Sequence, residues 1–204
     1  MAYTDFTTLA QVEQELGVTI KQASKLYIDI APIEVSSWFR ETMELSYDLA
    51  LNINTEEARQ SLIVNHVLIE LKTNLPISLF LKKSFPVDAS KGLTGYPDGL
   101  VSNYPDELEI KAPVLVVVEA KNNDINSGFP QCLAEMVAAD IFNHKAGIVR
   151  ERIYGVVTDA VSWRFVKLQE NVATIDRHTY PFNGGNQIIA ILQTFILDQK
   201  HQPS

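Results

Sequence analysis

The run Val114-Leu115-Val116-Val117-Val118, entered from Pro113, constrains this chain more than any other stretch. A continuous apolar run of that length reads as a strand buried on both faces. It ends in Glu119-Ala120-Lys121, an acid and a base two positions apart. Side chains alternate along a strand, so Leu115, Val117, Glu119 and Lys121 are expected on one face. A sheet interior rejects charges unless they are paired or hold a metal, so the end of this strand requires compensation.

The compensation is expected from Gly95-Tyr96-Pro97-Asp98-Gly99. Asp98 follows a turn signal and opens a second strand, Asp98 to Asn103. The connecting segment 104–113 is polar, flanked by Pro105 and Pro113 and too short for a helical crossover, which predicts an antiparallel hairpin. If Asn103 pairs near Val114, position sums stay constant along the ladder and Asp98 falls opposite Glu119. Directly opposed residues have Cβ atoms about 5 Å apart. Two carboxylates that close repel unless a proton or a cation bridges them. Mg²⁺, which takes one or two carboxylates plus water and phosphate oxygens, suits that arrangement. Lys121 stands beside it as a point charge. Taken singly, each island has an ordinary structural reading: Pro-Asp-Gly is a common turn tripeptide, and Glu119 with Lys121 makes a surface ion pair.

Pro97-Asp98 and Glu119-Ala120-Lys121 together resemble the PD-(D/E)xK nuclease superfamily, the restriction-endonuclease-like fold, over roughly residues 55 to 168. The resemblance implies an α/β protein with a central mixed sheet flanked by helices in the order αβββαβ. Residues 1–54 are then a helical extension packed on the core, and residues 55–204 the nuclease-like domain. It implies Mg²⁺ or Mn²⁺ held by Asp98, Glu119 and the backbone carbonyl of Ala120, with a helper carboxylate from the first core helix. Glu57 is the choice for that helper, with Glu56 and Glu70 as competitors; a helix-dipole role accounts for any of them equally well. Lys121 positions or activates water, and Gln131, in the first turn of the following helix, orients water or touches a phosphate or base edge. Related chains often carry an aromatic four residues after that glutamine, where this chain has Glu135. The implied activity is metal-dependent endonucleolytic hydrolysis of DNA. The alternative is a non-catalytic nucleic-acid or protein interaction module on the same fold, working in a larger assembly.

The pattern along the chain predicts helices over Phe6–Leu16, Glu34–Leu51 (with Val35, Trp38, Phe39, Met43, Leu45 and Leu49 as its apolar positions), Thr55–Leu71, Pro130–Lys145 and Asn186–Leu197. It predicts a short extended piece over Leu26–Ala31, strands over Ile77–Leu81 and Val172–Asp176, and a hairpin over 153–168. A strand-helix-strand unit from 114 through 130–145 to 153–158 makes those two strands parallel.

Of the 204 residues, 46% are hydrophobic, enough for a substantial core. Seventeen basic against 25 acidic residues give a net charge of −8. That argues against strong sequence-independent binding to nucleic acid, which relies on basic residues displacing counterions, but not against a local basic groove or a tightly chosen substrate. The single cysteine, Cys132, excludes an internal disulfide and suits a reducing cytoplasm. His66, His144, His178 and His201 lack metal-site spacing. No signal peptide or membrane span is expected. The extension packs beside the core or mediates a homodimer; both stay open.

Overall fold

The computed structural model describes residues 1–105, 107–122 and 124–197; Asp106, Asn123 and His201 lie outside them. The buried run forms a strand, β4 (Val114–Ala120), with every residue buried. It pairs antiparallel with β3 (Gly99–Ser102), in the register Gly99 opposite Val118 and Leu100 opposite Val117. Carried one step further, that register sets Asp98 against Glu119, as expected. One detail differs. Val101 faces Val116 but Ser102 faces Val114, so Leu115 is an extra residue in β4. The bulge moves Leu115 to the opposite core, with Val116 and Val118, away from Val117.

Eight strands form one mixed sheet. Its order is β1 (Thr19–Ala23), β7 (Val172–Asp176), β6 (Ser162–Gln169), β5 (Ile153–Thr158), β4, β3 and β2 (Ser78–Leu81), with the short β8 (Tyr180–Pro181) paired to β6. The β4–β5 and β1–β7 pairs are parallel and the rest antiparallel. The parallel β4–β5 pair follows from its connection through α5 (Phe129–Lys145), since strands joined by a helix can run the same way.

Helices cover both faces. One core joins α5 and α1 (Leu9–Leu16) to Val114, Val117, Val157 and Val166. The other joins α2 (Ser37–Ile53), α4 (Asn65–Asn74) and α6 (Asn186–Leu197) to Val116, Val118, Val156 and Phe165. The molecule is thus α/β, a mixed sheet between helical layers. No helix among the described residues is long and apolar enough to cross a membrane.

Two expectations about the first 54 residues are corrected. The extension is not purely helical, because β1 joins the sheet edge beside β7. The extended piece expected over Leu26–Ala31 is mostly a run of turns instead. The Asp176 carboxylate accepts the Lys25 and Leu26 amides at 2.9 and 2.8 Å, turning the chain just after β1. In α2 only Phe39, Met43, Ser46 and Ala50 are buried, whereas Trp38, Leu45 and Leu49 face outward. The helix expected over Thr55–Leu71 starts at its Thr55 cap, as α3 (Glu56–Arg59), and continues into α4 through a π-helical turn, Gln60–Val64.

Close contact between α5 and the sheet depends on Gly155 in β5. A Cβ there would lie 2.4 Å from Met136 Sδ and 2.6 Å from Val166 Cγ1. Gly155→Ala is therefore expected to cost about 1–3 kcal/mol, the usual penalty for overpacking a filled core. Urea denaturation measures it, and an unchanged midpoint would show that the helix has room to retreat.

Candidate active site

The paired registers of β2, β3 and β4 lay a row of charge across one end of the sheet. Leu81 pairs with Gly99 and Gly99 with Val118, so the next position on each strand is Lys82, Asp98 and Glu119 in turn. Both carboxylates are buried, at 5% and 1% exposure. Asp98 Oδ2 accepts the Ala120 amide at 2.7 Å and Oδ1 meets Lys82 Nζ at 2.6 Å. Glu119 Oε1 meets Lys121 Nζ at 2.5 Å, and Oε2 accepts from Gln131 Nε2 at 2.9 Å. Asp98, Glu119, Lys121 and Gln131 therefore come together as expected.

Ala120 completes this edge. The Lys121 amide donates to Thr158 on β5, so by strand alternation the Ala120 amide and carbonyl both turn toward Asp98. Gly128 lets the start of α5 close over the site. A Cβ there would fall 2.6 Å from Val157 Cγ1 and 3.1 Å from Lys121 Cγ. That approach is what brings Gln131 within reach of Glu119.

The helper glutamates separate clearly. Glu70 is buried far from the row, with its carboxylate on the Ser36 amide and hydroxyl, both at 2.7 Å, at the start of α2. Glu56 is the helix acid whose charge acts on Lys82, Glu119 and Lys121. Glu57, the expected helper, is exposed and shares with Glu56, Gln60 and Lys82 a cleft of about 440 Å³ beside the site.

Two members of the site escaped the sequence reading. Lys82 lies in the pair Lys82-Lys83 just after the strand Ile77–Leu81, and its partner follows from the β2–β3 register. Glu135 is fully buried, accepts from Gln131 Nε2 at 3.1 Å through Oε1, and has no partner for Oε2. Its signal was an acid four residues after Gln131, on the same helix face.

Burial dominates the electrostatics. It pushes Glu119 up to about 8, aided by the Asp98 charge and opposed by Lys121. Burial, then the Glu119 charge, also raises Glu135 well above the carboxylate range. Lys121 keeps its proton more tightly than usual: burial acts to lower it, but contact with Glu119 prevails. Among the described residues no group of three or more His, Cys, Asp or Glu side chains converges as a metal cage. No protein-family model matches the chain, and no curated protein matches it.

A carboxyl whose folded value lies above its unfolded one stabilises the fold below the unfolded value and loses that contribution as pH rises through the folded one. In metal-free protein the stability of wild type relative to Glu119→Gln is therefore expected to fall between about pH 4.5 and pH 8. Paired thermal melts across that window measure it; a difference independent of pH would mean Glu119 is ionised throughout.

Proposed function

We propose that this chain is a metal-dependent phosphodiesterase acting on DNA, built on the restriction-endonuclease-like core of the PD-(D/E)xK superfamily. The observation that carries the reading is the side-by-side burial of Asp98 and Glu119 at the end of one β-ribbon, with Lys121 against Glu119. The order α4, β2, β3, β4, α5, β5 supports it, matching the helix, three strands, helix and strand that the resemblance implies.

The donors suit a hard divalent cation. Asp98, Glu119 and the Ala120 carbonyl offer oxygen alone, and an ionised carboxylate oxygen keeps a second lone pair beyond the one its present donor takes. These three groups would hold Mg²⁺ or Mn²⁺, with Glu56 as a third carboxylate nearby. Such an ion supplies an acidified water and neutralises charge developing on the phosphoryl oxygens.

The chain's own residues do the rest. Lys121 places an ammonium beside the carboxylates, where it stabilises negative charge developing on a phosphoryl group. Gln131 fixes one oxygen of Glu119, and Glu135 in turn fixes the Gln131 amide. Lys82 offsets the Asp98 charge and, with its side chain 57% exposed, reaches a phosphate outside the row. A net charge of −8 makes these two lysines and the ion the attraction for a polyanion, rather than the surface at large.

One observation favours a second reading. Both carboxylates already meet a lysine, so the cluster is satisfied without metal, as in a non-catalytic interaction module for nucleic acid or protein.

Two measurements separate the readings. Mn²⁺ is expected to raise the melting temperature of wild type and to lose that effect in Glu119→Gln; a flat response in wild type favours the interaction module. Mn²⁺-dependent nicking of plasmid DNA is expected to fall about 10²-fold or more in Asp98→Asn and in Lys121→Ala, the scale on which removal of one transition-state-stabilising group acts. Equal cleavage by all three proteins would identify a contaminant.

A further inference from the structure

A second cleft, of about 450 Å³, opens on the Gln131 side of the charge row, and its walls are built from distant parts of the chain. The Tyr3 hydroxyl donates to the Phe85 carbonyl at 2.7 Å, and the Tyr3 amide donates to the Thr94 carbonyl at 2.9 Å. The Phe85 amide donates to the Gly95 carbonyl at 2.9 Å. The Tyr3 ring lies against Gly95, where a Cβ would come within 2.8 Å of it. The N-terminal segment, the irregular segment following β2 and the turn before Asp98 are thereby locked into one concave surface.

Three features give this cleft a ligand. Its inner end is Gln131, whose amide lies 2.9 Å from Glu119, so anything filling it borders the reacting centre. Its rim carries Tyr96, 65% exposed and two residues before Asp98. Its lining, which includes the hydroxyls of Ser84 and Thr94, holds no carboxylate, whereas the cleft on the Lys82 side carries Glu56 and Glu57. The cleft beyond Gln131 thus offers uncharged groups, which suit a base, while contact with phosphate stays with the lysines of the row.

We propose that this cleft receives one unpaired nucleoside adjoining the reacting phosphate, its base stacked on the Tyr96 ring. A base held within a duplex presents no free face to such a ring, so the cleft selects single-stranded DNA or an unpaired end. The inference rests on the phosphodiesterase reading for where the phosphate lies.

The test uses the full chain in Ca²⁺ and a twelve-nucleotide single strand carrying one 2-aminopurine, followed by anisotropy and by 2-aminopurine fluorescence. Wild type is expected to bind the single strand in preference to a blunt duplex of the same sequence, with fluorescence quenched. Tyr96→Ala should weaken binding about 5- to 150-fold and abolish the quench, the range that stacking one base on an aromatic side chain spans. Tyr96→Phe should retain both. Because Tyr96 is exposed, these changes leave the core intact. Binding and quench unchanged in Tyr96→Ala would overturn the inference, as would equal affinity for the duplex or failure of wild type to bind. Should no DNA be nicked while the Tyr96-dependent quench persists, the base site stands and the catalytic reading falls. Should nicking succeed without any Tyr96 effect, the base site falls and the catalytic reading stands.

Discussion

Burying two carboxylates side by side is the most demanding thing this fold does, and its local architecture follows from how that demand is met. An unpaired charge in a dry interior costs several kcal/mol even after relaxation, so each must find a cation or hydrogen-bond donors. Asp98 takes a backbone amide and Lys82; Glu119 takes Lys121 and the Gln131 amide. Those donors come from the ends of β2 and β4 and the first turn of α5, and Asp98 leads into β3, so the cluster holds four elements in one register. Shifting β3 by one residue against β4 would leave both acids facing the wrong partners.

The helix α5 is the second half of that arrangement. It carries Gln131 and Glu135 one turn apart, which stacks their side chains on one face. It approaches the sheet closely because Gly128 and Gly155 sit where any Cβ would collide. The result is a short chain of contacts from Lys121 and Glu119 through Gln131 to Glu135, ending at a carboxyl oxygen with no partner. A buried orphan of this kind is tolerated most readily when the group is neutral, in keeping with the upward shift that burial and the Glu119 charge impose.

Much of this was legible without coordinates. The buried strand 114–120, its antiparallel partner and the parallel step through α5 follow from apolar runs and turn residues; the opposition of Asp98 to Glu119 follows from a position sum that holds from Val101–Val116 to that end of the ladder and breaks at the Leu115 bulge. Lys82 was not legible as the partner of Asp98, because its role depends on where β2 pairs, and nothing in Ile77–Leu81 fixes that register. The edge strand β1 was missed because its residues alternate weakly and are mostly exposed. Glu56, whose charge acts on Glu119 and Lys121, was not distinguishable from Glu57 in sequence for a similar reason: two adjacent acids in an opening turn look alike there but diverge around the helix axis.

The amino-acid sequence by itself determined which residues must be neighbours along each strand and helix, since side-chain periodicity is a local property of the backbone. It also determined that charge at the end of a buried strand had to be answered by something. Only the tertiary structure decided what answers it. Lys82 and Gln131 reach the carboxylates through strand register and helix packing, and those depend on contacts between distant elements, which local pattern does not encode.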